Sequence, residues 1–466
     1  MRTLSTMEKS MFGPTLGLAV LAASASAGVA QPATEGAWYS DVVQVMDGDS
    51  PLDTGDGRPS RDGRWHAENR KGHAAPVLHD WNSDGLPDLV VGDFSGRFRL
   101  YPNRGTRAAP VFNGYEWIQA ESGDAMLGNF CCTATGVRFA DIDGDGIVDL
   151  TAGSYLPGLI YWFPRTAVGL GSRQALTDGS GLPILPRLHE AASEPHNNYA
   201  AKPAWMDWDG DGLLDMLIGD ARGDLLVRRN IGRAHFQGLT VPARQPVFER
   251  SPAADGLQTS VFDFIHDGGG TLANEKYLSP AAADWDSDGR IDLIVATQSG
   301  AVYLLLNVGT REEPAFASPS QLLPAVPGGE HMPVQLLRAG ERVARGARAS
   351  IDAADWNGDG KLDLILGDWS HSVQLRADLS PAEEQRLGRV LAQLVALDRR
   401  AGLEGEEPLR DRLHAAVYYE NEELAAELAA IEAELTVFLE PAGRERSTRL
   451  SDFERNHGHV RVYLRR

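Results

Sequence analysis

The chain has 466 residues, a formal net charge of −21, 50 glycines and 26 prolines, and 42% of its residues are hydrophobic. This composition is typical of a folded, turn-rich protein and argues against a disordered chain. The negative charge argues against sequence-independent binding to nucleic acid or to anionic lipid, because both partners carry charge of the same sign.

Residues 1–30 have the three parts of a secretory signal peptide. Arg2 and Lys9 supply positive charge, residues 11–23 are mostly apolar, and Ala25–Ala27 places small residues at a cleavage point. The alternative is a cytosolic protein with an apolar N-terminal tail. The apolar run is too short to span a bilayer comfortably, and no other apolar stretch of the sequence is long enough to do so. We therefore expect a secreted protein, extracellular or periplasmic, without a membrane span.

The two cysteines, Cys131 and Cys132, are neighbours in the sequence. Neighbouring Cα atoms lie about 3.8 Å apart, which is shorter than the usual disulfide range of roughly 4.4–6.8 Å. The pair therefore cannot join distant parts of the chain. Two interpretations stay open: a strained disulfide between the neighbours, or two small buried side chains in a strand.

An Asp-rich segment of nine residues occurs five times without gaps, beginning at Asp80, Asp141, Asp207, Asp284 and Asp355. The starts are 61 to 77 residues apart, and an apolar run follows each segment. In the first four copies a glycine then opens a second apolar run. Short apolar runs separated by Gly turns predict antiparallel strands. A repeat of roughly 60–75 residues with several strands predicts the four-stranded blade of a β-propeller.

The spacing of the acidic residues is that of a calcium loop. Positions 1, 3, 5 and 9 of every segment are Asp or Asn, and position 6 is Gly. An EF-hand would need Glu at position 12, where this sequence has apolar strand residues, so a β-hairpin calcium site is indicated instead. The alternative is a set of Asp-Gly turns that only connect strands. The fivefold recurrence, and the repulsion among carboxylates without a cation, favour calcium.

We therefore expect about five Ca²⁺ ions, each surrounded by about six to eight oxygen atoms. Position 7 would contribute its backbone carbonyl, and the other four positions would contribute their side chains. The expected ligands are Asp80, Asn82, Asp84, Leu86, Asp88, Asp141, Asp143, Asp145, Ile147, Asp149, Asp207, Asp209, Asp211, Leu213, Asp215, Asp284, Asp286, Asp288, Arg290, Asp292, Asp355, Asn357, Asp359, Lys361 and Asp363.

The pattern Asp-x-Asp-x-Asp-Gly-x-x-Asp-Leu with a downstream Gly-Asp resembles the FG-GAP or VCBS repeat of integrin α-subunit propellers and many secreted bacterial proteins. The Gly-Asp pair occurs at 92–93, 219–220 and 367–368, whereas the second and fourth repeats have Gly153-Ser154 and Ala296-Thr297. The resemblance covers roughly residues 75–375 and the last few residues. It implies a calcium-stabilised propeller, but it does not imply a single activity.

The five motifs predict an all-β fold, a β-propeller of about five four-stranded blades. Six or seven blades are the alternative, because integrin-like members have seven and residues 216–284 leave room for a blade without the motif. Apolar side chains alternate along residues 458–464, which predicts a strand, and we interpret it as the third strand of the fifth repeat. The first two strands of that repeat are expected to end near Trp369, where a helical stretch interrupts the repeat. Residues 38–45 would supply its outermost strand. The expected boundaries are 1–30 for the signal peptide, 31–379 for the blades, 380–440 for a helical insertion and 441–466 for the last strand that closes the ring.

The insertion in the last blade has the pattern of an α-helical hairpin. Ser380-Pro-Ala-Glu383 is a typical helix start, and Leu387, Leu391 and Leu394 share one face. A second apolar seam alternates spacings of four and three residues. This seam consists of Leu424, Leu428, Ile431, Leu435 and Phe438. Either the two helices only bury their seams against each other, or they form an arm for protein–protein contact.

The sequence contains no Gly-x-Ser-x-Gly, His-Glu-x-x-His or phosphate-loop motif. His196 and His266 lie in expected loops, where a sugar or lyase site and a solvated surface are both open. Tryptophan at position 2 of four repeats favours packing between blades over stacking on sugars. We expect an adhesion or ligand-binding module for a glycan or a protein, without an assigned catalytic residue. The alternative is a secreted carbohydrate-active enzyme such as a polysaccharide lyase.

Overall fold

The computed structural model describes residues 38–55, 72–128, 136–155, 158–178, 181, 183–184, 200–221, 223–230, 232, 275–326, 329, 334–400, 422–440, 453 and 455–466. The expected signal peptide, Cys131, Cys132, His196 and His266 lie outside these residues. So do residues 233–274, most of the long spacing that leaves room for a sixth blade. The described part of the chain is mostly β-strand, with two helices.

Each Asp-rich segment lies at the tip of a β-hairpin, and the five hairpins belong to five different sheets. Three short strands precede them: β1 (Tyr39–Gln44), β2 (Met46–Asp47) and β3 (Ser50–Pro51). The first sheet is formed, in spatial order, by β4 (Ala75–His79), β5 (Asp88–Gly92), β6 (Phe98–Tyr101) and β7 (Glu116–Trp117).

The second sheet follows a small connecting sheet. The connecting sheet consists of β8 (Gln119–Ala120) and β9 (Gly123–Asp124), joined later by β13 (Arg165–Thr166) and β14 (Gly169–Leu170). The second sheet is formed by β10 (Gly136–Ala140), β11 (Asp149–Gly153), β12 (Ile160–Phe163) and β15 (Gln174–Ala175).

The third and fourth sheets repeat the same order. The described strands of the third are β16 (Lys202–Met206), β17 (Asp215–Gly219) and β18 (Leu225–Arg228). The fourth is formed by β19 (Ser279–Ala283), β20 (Asp292–Ala296), β21 (Val302–Leu305) and β22 (Ser320–Leu323). In all four sheets the pairing between successive strands is antiparallel.

The fifth sheet combines the two ends of the described chain. Its strands are β23 (Val334–Leu337), β24 (Ala347–Ala354), β25 (Asp363–Gln374), β26 (Arg455–His457) and β27 (Val460–Arg465). β24 pairs with β25, β25 pairs with β27, and β27 pairs with β1, all antiparallel. The expectation that β25 ends near Trp369 is wrong. The strand continues to Gln374 because its second half pairs with β23 in parallel and with β26 antiparallel.

Five apolar clusters fill the spaces between the sheets, and each cluster takes its residues from two of them. Leu89 and Val91 of β5 pack with Ile365 of β25, whereas Val90 packs with Leu150 of β11. Successive side chains of a strand point to opposite faces, so the second strand of each sheet is buried on both sides. The clusters join sheets one and two, two and three, three and four, four and five, and five and one. The first strands of the sheets contact one another in the same cyclic order.

The segment after β25 forms two helices, α1 (Pro381–Arg400) and α2 (Glu422–Thr436), which pack on each other. α1 begins with the expected capping box. Ser380 N donates to Glu383 Oε2 at 2.8 Å, and Glu383 N donates to Ser380 Oγ at 3.3 Å. No helix among the described residues combines the length and apolarity needed to cross a membrane.

The apolar seams of the helices do not pack on each other alone. Leu428, Ile431 and Leu435 of α2 are buried in one cluster with Val373 and Leu375. The last two residues lie at the end of β25 and just beyond it. The helical pair therefore rests on the extended half of the fifth sheet instead of projecting freely from it.

Candidate metal centres

The five Asp-rich loops share one backbone conformation. At position 6, all five glycines have a φ of 87° or 88°. Position 4 also has a positive φ, which ranges from 60° at Ser83 to 77° at Gly358. Residues with a Cβ rarely adopt positive φ, which explains the glycine at position 6 and the small residues at position 4. Glycine at position 6 predicts the turn there, and glycine at position 4 of three loops is a signal for the second turn that sequence reasoning missed.

Backbone amides hold the carboxylates at positions 1 and 5 of each loop. In the first loop, Gly85 N donates to Asp80 at 2.9 Å and Leu86 N donates to Asp84 at 2.8 Å. The same two bonds occur in the other four loops at 2.8 to 3.2 Å. These bonds fix the side chains and leave further lone pairs on each carboxylate for a cation.

The carboxylate at position 9 connects each loop to the chain at the end of the third strand of its sheet or just beyond it. Asp88 accepts a hydrogen bond from Asn103 N at 2.8 Å, and the equivalent residues of the other loops accept the same bond at 2.6 to 2.8 Å. In the four loops with tryptophan at position 2, the other oxygen accepts from the tryptophan amide at 2.8 to 3.1 Å. All five position-9 residues are buried. The loop is thereby closed on itself and on the sheet.

The loops provide a donor set that fits a hard cation. In the second, third and fourth loops, one oxygen each from positions 1, 3 and 9 lie within 4.8 Å of one another. The first and fifth loops have Asn at position 3, whose amide oxygen is an equivalent donor. Asp207 Oδ1 and Asp209 Oδ1 are buried without a hydrogen-bond partner. Buried, unsatisfied oxygens in a donor set without nitrogen or sulfur are what Ca²⁺ prefers. The carboxylates at position 5 stay outside the three-residue groups, held by the position-7 amides.

A sequence model of the FG-GAP-like repeat family matches residues 80–152 and 284–366. The chain carries FG-GAP-like repeats. The two matches contain the first, second, fourth and fifth loops. The third loop lies outside the matches, yet Gly210 and Gly212 have the same positive φ as their equivalents. A search of curated proteins gives no match.

Two solved structures are similar to this FG-GAP-like repeat protein at low identity. The Tc holotoxin pore of Photorhabdus luminescens is 17% identical with a TM-score of 0.27, over 63% of this chain and 13% of that chain. An Agrocybe aegerita lectin that specifically recognises non-reducing terminal N-acetylglucosamine is 15% identical with a TM-score of 0.30, over 65% of this chain and 64% of that chain. This chain therefore spans less than two thirds of either one.

Burial and crowding raise the pKa values of the position-9 carboxyls in the FG-GAP-like loops. Burial raises the pKa of Asp149 to about 7, and the nearby Asp143 carboxylate acts in the same direction. Burial also raises the pKa of Asp215 to about 6, with further contributions from Asp209 and Asp211. A cation favours the ionised form of a carboxyl and would offset both causes. Without a cation, ionisation of these two carboxyls at neutral pH destabilises the folded state.

The tryptophans at position 2 contact the next FG-GAP-like repeat. The rings of Trp208 and Phe316 have centroids 5.9 Å apart, and those of Trp356 and Phe112 are 5.8 Å apart. Trp285 is 1% exposed. These contacts favour the packing role over the sugar-stacking alternative, because a buried ring offers no free face to a ligand.

Arginines from the following repeat cover the loops, and sequence reasoning missed them. Arg107 donates to the carbonyls of Asp355 and Trp356 at 2.6 and 3.0 Å. Arg311 donates to Asp207 Oδ2 at 2.7 Å. Both arginines end the pattern Asn-x-Gly-Thr-Arg, which occurs at 103–107 and 307–311 and is the signal that identifies them.

Two more arginines make the same kind of contact without that pattern. Arg165 stacks over the Trp81 ring at 4.4 Å and donates to the Trp81 carbonyl at 2.7 Å. Arg465 stacks over the Trp285 ring at 4.5 Å and donates to the Trp285 carbonyl. Four of the five loops are therefore tied to the next repeat by a guanidinium group. Each loop is part of an interface as well as a candidate cation site.

Proposed function

We propose that this chain is a secreted, calcium-stabilised β-propeller of five blades that acts as a ligand-binding module for a glycan or a protein. The main support for five blades is the cyclic order of the apolar clusters, in which the fifth sheet packs on the first. A ring of sheets in which each buries its faces against two neighbours is the arrangement of a propeller. The N-terminal β1 and the C-terminal β27 pair in the fifth sheet, so this blade would join the two ends of the ring.

The support for calcium is the shared geometry of the five loops. A chance cluster of Asp-Gly turns would not require the same two positive φ values and the same pair of amide bonds in every copy. Magnesium fits less well, because it prefers octahedral geometry at roughly 2.0–2.1 Å and keeps several waters. In this role the cations hold the hairpin tips and the interfaces between blades, and no chemical step is assigned to them.

The ligand surface that we favour is an aromatic patch at the edge of the first sheet, formed by Tyr115, Trp117, Arg97 and Arg99. Tyr115 is 40% exposed, and its ring centroid lies 5.1 Å from that of Trp117. Arg99 lies 4.6 Å from the Tyr115 ring, and Arg97 lies 5.2 Å from the Trp117 ring. β7 is the outermost strand of its sheet, so no further described strand of that sheet pairs beyond it.

The patch combines the residue types that dominate binding interfaces. Tyrosine, tryptophan and arginine are enriched at such sites, because they give large contact area and hydrogen bonds at low conformational cost. Arg99 forms a buried ion pair with Asp93 at 2.8 Å, which fixes the guanidinium behind the Tyr115 ring. The Arg99 side chain is therefore held in place before a ligand arrives.

A glycan array probed with the calcium-loaded protein, the chelated protein and two variants tests this proposal. We expect calcium-dependent binding that Trp117→Ala weakens at least tenfold. Val168→Ala is the matched control, because Val168 is 98% exposed and lies outside the patch. Unchanged binding by Trp117→Ala would show that the ligand binds to a different surface of the protein. No binding to any glycan or extracellular protein tested would contradict the binding function.

A further inference from the structure

A second kind of polar cluster lies at the other end of the fifth sheet from its Asp-rich loop. Asp53 follows β3 in the N-terminal segment, His457 ends β26, and His459 directly precedes β27. Gly367 pairs with Val460 at this end, whereas the loop residue Asp363 bonds to Arg465 N at the opposite end. The cluster is therefore separate from the five calcium loops.

The three side chains converge on one point. His457 Nδ1 lies 2.6 Å from Asp53 Oδ2, and His459 Nε2 lies 3.8 Å from the same oxygen. One ligand atom from each residue lies within 4.8 Å of the other two. The histidine rings stack with centroids 5.3 Å apart. Their side chains are 10% and 7% exposed, whereas that of Asp53 is 24% exposed and leaves one side open to solvent.

Surrounding groups hold these side chains in place. Asp53 Oδ1 accepts hydrogen bonds from Gly55 N and Gly458 N, both at 2.9 Å, which leaves Oδ2 for the histidines. His457 Nε2 lies 2.7 Å from Ser372 Oγ. A proton on Nε2 that is donated to Ser372 leaves the Nδ1 lone pair toward Asp53, which is the tautomer a metal ligand needs. The backbone of Asp53 also pairs with that of His459.

The two ring nitrogens of His459 differ in their surroundings, and Nε2 is the one that lies near Asp53 Oδ2. His459 Nδ1 is buried and has no hydrogen-bond partner. Asp368, which accepts a hydrogen bond from His459 N, forms an ion pair with Arg461, so the two charges offset each other. His457 Nδ1 and Asp53 Oδ2 are 2.6 Å apart, so a metal ion bound to both at about 2.0–2.1 Å would move the two atoms further apart.

We propose that Asp53, His457 and His459 bind one divalent transition metal ion of the zinc class. Two imidazoles and one carboxylate are the ligands of three-residue zinc sites, and imidazole also suits iron, copper and nickel. The five loops offer only oxygen ligands, which suit calcium better than ions of the zinc class. The chain would therefore carry two kinds of metal site. Three protein ligands leave a coordination position for water or a ligand on the exposed side of Asp53.

The test uses the full mature chain without an affinity tag, with the loops saturated by millimolar calcium. Titration with ZnCl₂ is expected to show one tight site per chain. Cobalt chloride in place of zinc is expected to give the visible absorption of a nitrogen-ligated ion. Ser372→Ala is expected to weaken zinc binding by about 10- to 100-fold, as loss of a partner behind a ligand does elsewhere. Asp53→Asn and His459→Ala are expected to weaken it further.

The matched control is Asp209→Asn, which alters an FG-GAP-like loop and not this cluster. It should lower calcium binding and leave the zinc site intact. Zinc binding that is absent in the native chain, or that follows Asp209→Asn instead of the histidine variants, would overturn the proposal. Circular dichroism of Asp53→Asn, the least disruptive ligand variant, separates loss of the site from loss of the fold. A zinc site does not depend on calcium in the loops, so either proposal can fail alone.

Discussion

Arg311 of the fourth repeat donates a hydrogen bond of 2.7 Å to Asp207 Oδ2, the first residue of the third loop. The two residues are 104 positions apart in the sequence. A carboxylate expected to bind a cation is thus also held by the neighbouring repeat. Arg107 and Asp355 repeat the arrangement at 3.3 Å between the first and fifth repeats. Local binding at a loop and packing between repeats therefore depend on the same side chains.

Replacing Arg107 by alanine should destabilise the protein by about 1–2 kcal/mol. The change removes charged hydrogen bonds to two loop carbonyls, and solvent exposure of the arginine limits the loss. Urea unfolding in calcium is the measurement, with the exposed Arg342→Ala as control. Equal midpoints for the two variants would show that the guanidinium bridge adds nothing to the interface.

Chelator-stripped protein should bind about five calcium ions with dissociation constants near the extracellular range of roughly 10⁻⁴–10⁻³ M. Removing calcium should lower the melting temperature, because ligands that bind only the native state stabilise it. Magnesium should restore less of the loss. Isothermal titration of the native chain and of Asp209→Ala, which removes a ligand oxygen and should lose one site, checks the number. A stoichiometry of none or one would rule out the loops as calcium sites.

The calcium-free protein should lose stability as the pH rises from about 4 to about 7, through the Asp149 carboxyl. Burial raises the folded-state pKa of Asp149 to about 7, above its unfolded value of 3.8. The protonated form therefore contributes full stability below the unfolded pKa, and this contribution disappears as the pH passes the folded pKa. In chelator, the melting temperature of the native chain relative to Asp149→Asn should fall across this window.

In saturating calcium the same comparison should reverse, because the ion favours the ionised carboxylate over the amide. Thermal melts at half-unit pH steps in both conditions supply the measurement. A constant difference between the two proteins across pH 4–7 in chelator would mean that Asp149 titrates normally in the folded state.

Gly212→Ala should cost about 1–2 kcal/mol, because a residue with a Cβ is forced to a φ of 88°. An added Cβ at this position meets nothing within 4 Å, so the effect is confined to the backbone. Gly388→Ala is the matched control, since its Cβ also meets nothing within 4 Å but lies inside α1. That change should stabilise the protein by about 0.5–1 kcal/mol. Opposite signs in urea unfolding are the expected result, and equal signs would contradict it.

Leu435→Ala in α2 should destabilise the protein by about 2–5 kcal/mol, as cavities in cores do. Leu435 is buried with Val373 of β25, so the helices and the fifth sheet should unfold in one transition. Val437→Ala, two residues away and 49% exposed, is the control and should change little. A separate, early transition that Leu435→Ala alone shifts would show that the helices form an independent arm.

The parts of the fold that local sequence governs were predictable. The nine-residue spacing specifies a loop, and the two-residue alternation of apolar side chains specifies the strands that flank it. The capping box at Ser380 and the seam around Ile431 follow the same local rules. These features need only the physical preferences of neighbouring residues in the chain.

The parts that depend on distant residues were not predictable in the same way. Nothing near Trp369 indicates that β25 continues, because its partners β23 and β26 lie far along the chain. Asp53 and His457 are 404 residues apart, so no local sequence spacing predicts that their side chains are in contact. Ser83 adopts a φ that serine rarely takes, and only the loop around it enforces this conformation. Arg107 was predictable only in part. Its motif Asn-x-Gly-Thr-Arg occurs twice in the sequence, but the loop that it contacts lies in another repeat.

The pairing of β1 with β27 has a consequence for the order of folding. Gln44 and Val460 are joined across 416 residues, so β1 leaves the ribosome long before its partner exists. Until then β1 has an unpaired edge, and such edges promote association with other chains. Contacts this distant are also slow to form. We therefore expect the first four sheets to form early. The fifth sheet should form last, because β1 can pair only after β27 has been synthesised.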